Sequence, residues 1–291
     1  MIIIKYSVEG KLIATFGSDE NIELFTKTED GRLSVDIKVL KDITLLSVTE
    51  SFPLPISKND RLCMNGYQSW TDTKNFYPKE KEKDVYKIPS FLVKAFAFDR
   101  YGDATFYDYR RNTLHGYEIF YKKGKGEFFV INNNDDAYLI CEVVKDEGVL
   151  NIISDVKGVF LKRGETFTAL DCFYYQNYQK GVEKFNSLYP EKSIQKIFGY
   201  TSWYNYYQDI NESIIERDLD ALDERFNLFQ IDDGYEEKVG DLLYIDKNKF
   251  PNGLKGLVDK IHKKGYMAGI WLAPFVAEAD SRLFKEHPEY F

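Results

Sequence analysis

Three apolar runs, KIFGYTSW (196–203), FNLFQIDD (226–233) and YMAGIWLAPF (266–275), alternate with two helical patterns, and no other feature constrains the fold as much. The first pattern opens at Asn211, a residue that can cap a helix, with Glu212 in the first turn and Ile214, Ile215, Leu219 and Leu222 on one side. The second carries Leu254, Leu257, Val258, Ile261 and His262 at i, i+3, i+4, i+7 spacing, and Gly265 stops it. Strand–helix–strand–helix–strand order with continuous apolar strands predicts parallel pairing buried on both faces. TSWY, IDDGY and WLAPF then fall at the C-terminal ends of the strands. That is the active face of a (β/α)8 barrel or the ligand crevice of an open α/β sheet. No Gly-rich phosphate loop follows a strand, which argues against a nucleotide site. Residues 196–291 have room for about three βα units, whereas a complete barrel takes about 250 residues. The third strand would be left with an unpaired apolar edge. The expectation is a chain that ends inside a domain.

Upstream, the pattern is antiparallel β. Short apolar or alternating runs, such as MIIIKYSV, KLIATF, NIELFTKT and RLSVDIKVL, are separated by EG, GSDEN and EDGR. The rhythm continues through AYLICEVV, VLNIISDV and GVFLKRGETFTALDCFYY, with NNNDD (132–136) as a turn, and suits a large sandwich. GVEKFNSLYP reads as a short connecting helix stopped by Pro190. The expected divisions are a β domain over 1–175, a linker helix at 176–195 and an incomplete barrel over 196–291.

Bulk properties narrow the function. The acidic excess is mild, 47 against 39, and no basic stripe appears, so nucleic acid is not an expected partner. The N-terminus, MIIIKYSVEG, is neither a signal peptide nor a membrane span, so no membrane partner is expected. Cys63, Cys141 and Cys172 are an odd, widely spaced set, read as reduced and mostly buried thiols in a cytoplasmic protein. Phe and Tyr occur 22 times each, but Trp only at Trp70, Trp203 and Trp271.

The pair Asp232–Asp233 ends the second apolar run. Adjacent strand residues point to opposite faces, so both carboxylates serve one pocket only if Asp233 has left the strand. An ordinary turn and helix cap is the plain alternative. A metal site would want more ligands than His115, His262 and His287 offer, so no metal or other cofactor is expected. A retaining pair of catalytic carboxylates must stand about 5 Å apart across the scissile bond, which neighbouring residues of one strand cannot do. Two adjacent acids can, however, accept hydrogen bonds from two adjacent hydroxyls while Trp faces pack on a sugar's C–H surface.

FGYTSWYNYY, the run from FQIDDGY to GIWLAPF, and EHPEY together resemble the first barrel strands of family 36 glycoside hydrolases, the α-galactosidase or melibiase group. NGYQSW (65–70) resembles the Trp-bearing loop that this family's N-terminal β-supersandwich extends over the barrel mouth. The resemblance covers about 60–75 and 197–291, and the rest of the N-terminal region only in its β-rich style. It implies a multidomain fold, β plus α/β: a β-supersandwich followed by the first about three βα units of a (β/α)8 barrel. It further implies that Asp232 and Asp233 bind galactose O4 and O6, that Trp203 and Trp271 line the −1 subsite, and that Trp70 closes it. Tyr235 stands where relatives often have Trp, and GDLL (240–243) departs from their GDW. The family's nucleophile and acid/base follow later strands and are expected beyond Phe291, so no catalytic residue is assigned.

Three functions follow as expectations. One is a retaining α-galactosidase acting on melibiose- or raffinose-type oligosaccharides, with a second copy or a complementing chain as candidate protein partner. Another is a non-catalytic fragment that binds sugar or a partner. The third is a related α-glycosidase or galactosyltransferase.

Overall fold

The computed structural model describes residues 2–67, 71–82, 89–96, 103, 107, 110, 112–190, 193 and 195–291. The chain divides into two compact units, Met1–Glu191 and Lys192–Phe291.

Thirteen strands of the first unit are described: β1 (Ile2–Val8), β2 (Lys11–Thr15), β3 (Ile22–Glu29), β4 (Arg32–Val39), β5 (Ile43–Pro53), β6 (Arg61–Met64), β7 (Lys74–Phe76), β8 (Thr113–Tyr117), β9 (Ile119–Lys123), β10 (Phe128–Asn132), β11 (Tyr138–Val144), β12 (Val149–Leu161) and β13 (Thr166–Tyr175). They form a six-stranded sheet, β2-β1-β5-β12-β11-β8, and a seven-stranded sheet, β3-β4-β13-β10-β9-β6-β7. Every pairing within them is antiparallel. The inward residues of both sheets share one core: Ile4, Val48, Val143 and Ile152 from the first, and Val35, Ile37, Val130 and Leu170 from the second. Alternation explains this, since β4 reads buried at Leu33, Val35, Ile37 and Val39 with polar residues between.

The turns follow from local chemistry. Glu9-Gly10 and Asp30-Gly31 both have positive φ at each position and join strands paired at Val8↔Lys11 and Glu29↔Arg32. Those are two-residue primed hairpin turns. The run GVFLKRGETFTALDCFYY, read as one stretch apart from VLNIISDV, is divided: its GVFL joins VLNIISDV in the single strand β12, and TFTALDCFYY forms β13. A bulge at Val156–Gly158 takes the place of the expected turn, because Lys157 and Gly158 adopt φ +56 and +77 while pairing with β5 resumes at Val159↔Leu45.

Two helices of the first unit are described, α1 (Ser90–Ala95) and α2 (Tyr178–Leu188). The side chain of Asn177 caps α2 by accepting from the Lys180 N–H at 2.9 Å. The helix packs on the seven-stranded sheet, with the Tyr178 ring 5.2 Å from Tyr121 and 5.7 Å from Phe129. Cys63, Cys141 and Cys172 are free thiols; the last two are buried and Cys63 is partly exposed.

The second unit contains β14 (Gly199–Thr201), α3 (Trp203–Tyr206), α4 (Glu212–Ala221), β15 (Leu228–Ile231), α5 (Lys255–Lys263), β16 (Met267–Ile270) and α6 (Arg282–Glu286). The strands pair in parallel in the order β14-β15-β16. Asn211 accepts from the Ile214 N–H at 3.0 Å, so the cap expected from sequence forms. Ile215 and Leu219 of α4 and Leu257 and Ile261 of α5 pack with Phe229 and Ile231 of β15 in one core.

Burial on both faces, expected for all three strands, holds for none of them in full. β15 alternates buried and half-buried residues, and β14 and β16 remain partly exposed throughout. Helices α4 and α5 cover the face of β15 that carries Phe229 and Ile231, and β14 and β16 each have a neighbour on one side only among the described residues. The strands are also shorter than the apolar runs, so Ser202, Asp232, Asp233 and Trp271 all stand just past strand ends. His262, placed by spacing on the apolar side of α5, is exposed. Among the described residues no helix is long and apolar enough to cross a membrane.

Candidate functional site

β15 ends at Ile231, so Asp232 and Asp233 have both left the strand, which frees their side chains from strict alternation. Each is only 6% exposed. Their environments nevertheless differ. Oδ2 of Asp232 accepts from the Thr201 hydroxyl at 2.6 Å and the Gln230 amide at 2.7 Å, and Oδ1 accepts from the Asp233 N–H at 3.0 Å. The Ser202 hydroxyl takes the Asp232 N–H at 3.0 Å. Asp232 is thus bound to β14, to its own strand and to its neighbour.

Asp233 accepts from Gln208 Nε2 at 2.9 Å on Oδ2, while its buried Oδ1 has no hydrogen-bond partner. A carboxylate oxygen offers two lone pairs, and an unsatisfied buried one costs about 1–3 kcal/mol. Asp233 therefore holds the open acceptor of the pair. The local fold fixes where it stands. Gly234 has φ +103, and a Cβ there would lie 2.4 Å from the Gln208 carbonyl oxygen. Lys249 ties the same two segments, donating to the carbonyls of Gln208 at 2.9 Å and Gly234 at 3.0 Å.

The aromatic residues surround this loop at neighbouring strand ends. Trp203 begins α3 directly after β14 and is half-buried, with the Tyr207 ring edge-on at 5.2 Å. Trp271 follows β16, is half-buried, and donates its N–H to the Ile231 carbonyl at 3.0 Å. Tyr235 is fully buried and its hydroxyl donates to the Trp271 carbonyl at 3.2 Å. Burial, then the charges of Glu236 and Asp233, push its phenol up to about 12, which keeps it a donor. Trp70 lies outside the described residues. The structure thus gathers Trp203, Asp232, Asp233 and Trp271 along one edge of the three-stranded sheet.

Tyr207 is one support that sequence reading missed. It adopts φ +50, ψ −126, and the Asp209 N–H bonds the Tyr206 carbonyl at 2.9 Å. This is a type II′ turn with Tyr at the position that favours Gly. Tyr207→Gly is expected to raise stability by about 1 kcal/mol while loosening Trp203. Urea denaturation reads the first effect and a red-shifted Trp emission the second.

Glu236 is another. It is 5% exposed, and neither carboxylate oxygen has a hydrogen-bond partner. Burial, reinforced by Asp233, raises its pKa against the opposing pull of the nearby amides of Glu236, Gly234 and Tyr235. A raised acid destabilises the fold once pH exceeds the unfolded value, about 4.3. Glu236→Gln is therefore expected to raise the urea midpoint at pH 7 and leave it unchanged at pH 3.5; equal midpoints at both would refute this. Thr201, Gln208 and Gln230 likewise carried no sequence pattern. Asp241, also buried, serves the fold instead, because its carboxylate caps α6 by accepting from the N–H groups of Arg282 at 3.0 Å and Leu283 at 3.1 Å.

Chemically, the site offers an anchored carboxylate, a second carboxylate with an open acceptor, and indole side chains at adjacent strand ends. These are the elements of polyol recognition. Among the described residues no group of three or more His, Cys, Asp or Glu side chains is placed to hold a metal ion.

Residues 174–291 match the family model described as Melibiase. Over 141 residues, 43% of the chain, the sequence is 30% identical to alpha-galactosidase Mel36A of Lactobacillus acidophilus, covering 19% of that protein. Over 94% of the chain it is 22% identical to the bifunctional alpha-galactosidase/sucrose kinase AgaSK of Mediterraneibacter gnavus, covering 31% of it. The fold is similar to that of TtGalA, an alpha-galactosidase from Thermus thermophilus solved with p-nitrophenyl alpha-D-galactopyranoside. The TM-score is 0.58 at 22% identity, covering 92% of this chain and 52% of that one. It is also similar to the GH36 alpha-galactosidase AgaA from Geobacillus stearothermophilus, with TM-score 0.55, 14% identity and coverage of 98% and 47%. The chain thus spans less than a third of these curated relatives and about half of each solved structure.

Proposed function

We propose, from the premise that residues 174–291 are a melibiase-family segment, that this chain supplies the galactose-holding part of an α-galactosidase. Its ligands would be terminal α-linked galactosides of the melibiose, raffinose and stachyose type. The three parallel strands would be the opening strands of a (β/α)8 barrel, with the sugar at their C-terminal ends. The first unit would be the family's β-supersandwich.

The observation that carries this reading is the buried, partnerless Oδ1 of Asp233 beside an Asp232 whose two oxygens both accept from protein donors. In this arrangement Asp233 takes a sugar hydroxyl through its open oxygen. Asp232 keeps one lone pair on Oδ1 for the adjacent hydroxyl, and Trp203 and Trp271 supply apolar faces. Neither acid serves as nucleophile or acid/base. Asp232 is committed to protein donors, and neighbouring residues cannot straddle a glycosidic bond with the spacing that retaining hydrolysis needs. The retaining double displacement belongs to carboxylates that this chain is not assigned.

Galactose titration followed by Trp fluorescence tests the assignment. The parent chain is expected to show a saturable change. Asp233→Asn and Trp271→Ala are each expected to weaken it at least tenfold, with circular dichroism unchanged. Unaltered affinity in both variants would remove these residues from the site. Loss of binding only in Trp271→Ala would leave a sugar platform without the carboxylate clamp.

A further inference from the structure

We propose that the first unit carries a carbohydrate-binding groove of its own, which holds a neutral pyranose of an oligosaccharide between Tyr138 and Tyr189. The groove has a volume of about 510 Å³, within the usual range of small-molecule sites. None of its lining residues belongs to the Asp232–Asp233 site.

Four local irregularities of the chain meet in this groove. The first is Glu118, where the chain leaves β8 of one sheet for β9 of the other with φ +64. Its N–H donates to the Leu139 carbonyl at 2.9 Å and its carbonyl accepts from the Asn132 N–H at 2.7 Å. Its carboxylate accepts from the Leu139 N–H at 3.0 Å and from Asn132 Nδ2 at 2.6 Å. The second is the β12 bulge, where Lys157 holds φ +56 and its N–H and Nζ both bond Asp155 at 2.9 Å. The third is the NNNDD turn. Asn134 is 8% exposed, donates to the Thr168 carbonyl at 3.0 Å and accepts from the Asp136 N–H at 3.0 Å. The fourth is Tyr189, which ends α2.

Glu118 and Lys157 are non-glycine residues held in the left-handed region, each at a cost on the order of 1 kcal/mol. Bulges and such strained residues gather where a side chain must be aimed at a ligand. The internal bonds satisfy the Asn132 and Asn134 amides and fix the frame before any ligand arrives, which lowers the cost of binding.

What the frame presents selects the ligand class. Glu118, Asp135, Asp136 and Asp155 face the single cation Lys157, so phosphorylated and carboxylated ligands are repelled. Ala137, Val156 and Leu188 are its few aliphatic members, too little for a lipid chain. Among the described residues no set of three acids or histidines is placed for a metal ion. Both aromatic rings are partly accessible: Tyr138 is 41% exposed, with Lys157 Nζ over its ring at 5.4 Å and Tyr67 edge-on at 5.8 Å, and Tyr189 is 58% exposed. The exposed carboxylates of Asp135 and Asp136, beside exposed tyrosines, fit a molecule with many hydroxyls and an apolar C–H face, which is a sugar.

Hydrogen–deuterium exchange of the intact chain, with and without raffinose or maltotriose, tests this directly. The expected result is added protection at 132–138 and 155–158 with at least one of the sugars. Tyr189→Ala and Asp136→Asn, both surface changes, are each expected to weaken that binding at least tenfold. Tyr189→Phe retains it, and so does Asp233→Asn, which removes the other proposed site. The groove is not a sugar site if neither sugar protects these segments. It is equally overturned if Tyr189→Ala binds like the parent, if Asp233→Asn abolishes the protection, or if calcium chloride alone produces it.

Discussion

Replacement of His115 by alanine is expected to destabilise the first unit by about 3–5 kcal/mol, the usual effect of removing one partner from a buried charge cluster. His115 is 2% exposed on β8 and lies between two carboxylates. Nδ1 is 2.7 Å from Glu82 Oε2 and Nε2 is 2.9 Å from Asp103 Oδ2. An imidazole with a carboxylate at each nitrogen must donate from both, which is the protonated form. Tyr107 stacks on the ring at 4.1 Å and donates to Glu142 at 2.6 Å. Asp103 also accepts from the Tyr67 N–H at 2.9 Å and the Thr71 hydroxyl at 2.7 Å, so the cluster ties β8 to the chain on both sides of 68–70.

The pH dependence follows with opposite signs for the two partners. Burial alone would lower the His115 pKa, but the hydrogen bonds to Asp103 and Glu82 overcome it and raise the value. Its contribution is complete below the unfolded histidine value, about 6.5, and fades as pH rises through the higher folded value. Burial alone would raise Asp103, but His115, the Tyr67 amide and Thr71 together lower it. Its contribution is complete above the unfolded aspartate value, about 3.9, and fades as pH falls through the lower folded value. The stability difference between parent and His115→Ala, read by urea denaturation, should therefore be largest between about pH 4 and 6.5 and shrink above it. A flat difference of under about 1 kcal/mol across that range would show that the cluster contributes little.

Gly234→Ala is the second large effect, and it bears on the proposed sugar clamp. The added methyl would lie 2.4 Å from the Gln208 carbonyl oxygen and 2.7 Å from its Cα. A residue with a Cβ at φ +103 is also strained whatever the space. Backbone must move, and Gln208 carries the one amide that bonds Asp233. A loss of about 2–3 kcal/mol is expected from clash and strain together, measured as a fall in the urea midpoint. Galactose binding should vanish with it, because Asp233 loses its orientation. Parent-like stability and affinity in Gly234→Ala would mean that the Gln208–Gly234 contact does not set the site.

Much of this is legible along the chain because it is encoded within a few residues. Asn211 and Gly265 bound their helices, EG and EDGR turn their hairpins, the second apolar run ends at Asp232–Asp233, and the second and third runs pair as parallel strands. The GVFL run misleads, because a bulge at Lys157–Gly158 uses the same residue types as a turn and differs only in whether β5 continues to pair. His262 misleads because a helical stripe of four or five positions tolerates one polar residue at its margin.

By itself, then, the sequence determined the antiparallel-then-parallel order of elements, the caps and turns, and the strand-end position of the two acids. Each depends on the period or dihedral preference of adjacent residues. Only the tertiary structure decided that both oxygens of Asp232 accept from protein donors while Oδ1 of Asp233 has none, and that Glu236 is buried without a hydrogen-bond partner. It alone brought Glu82, Asp103 and His115 into one cluster, and Glu118, the NNNDD turn, Lys157 and Tyr189 around one groove. Whether a lone pair is used or left open depends in part on donors 25 and 31 residues away, Gln208 and Thr201, and no local pattern carries that information.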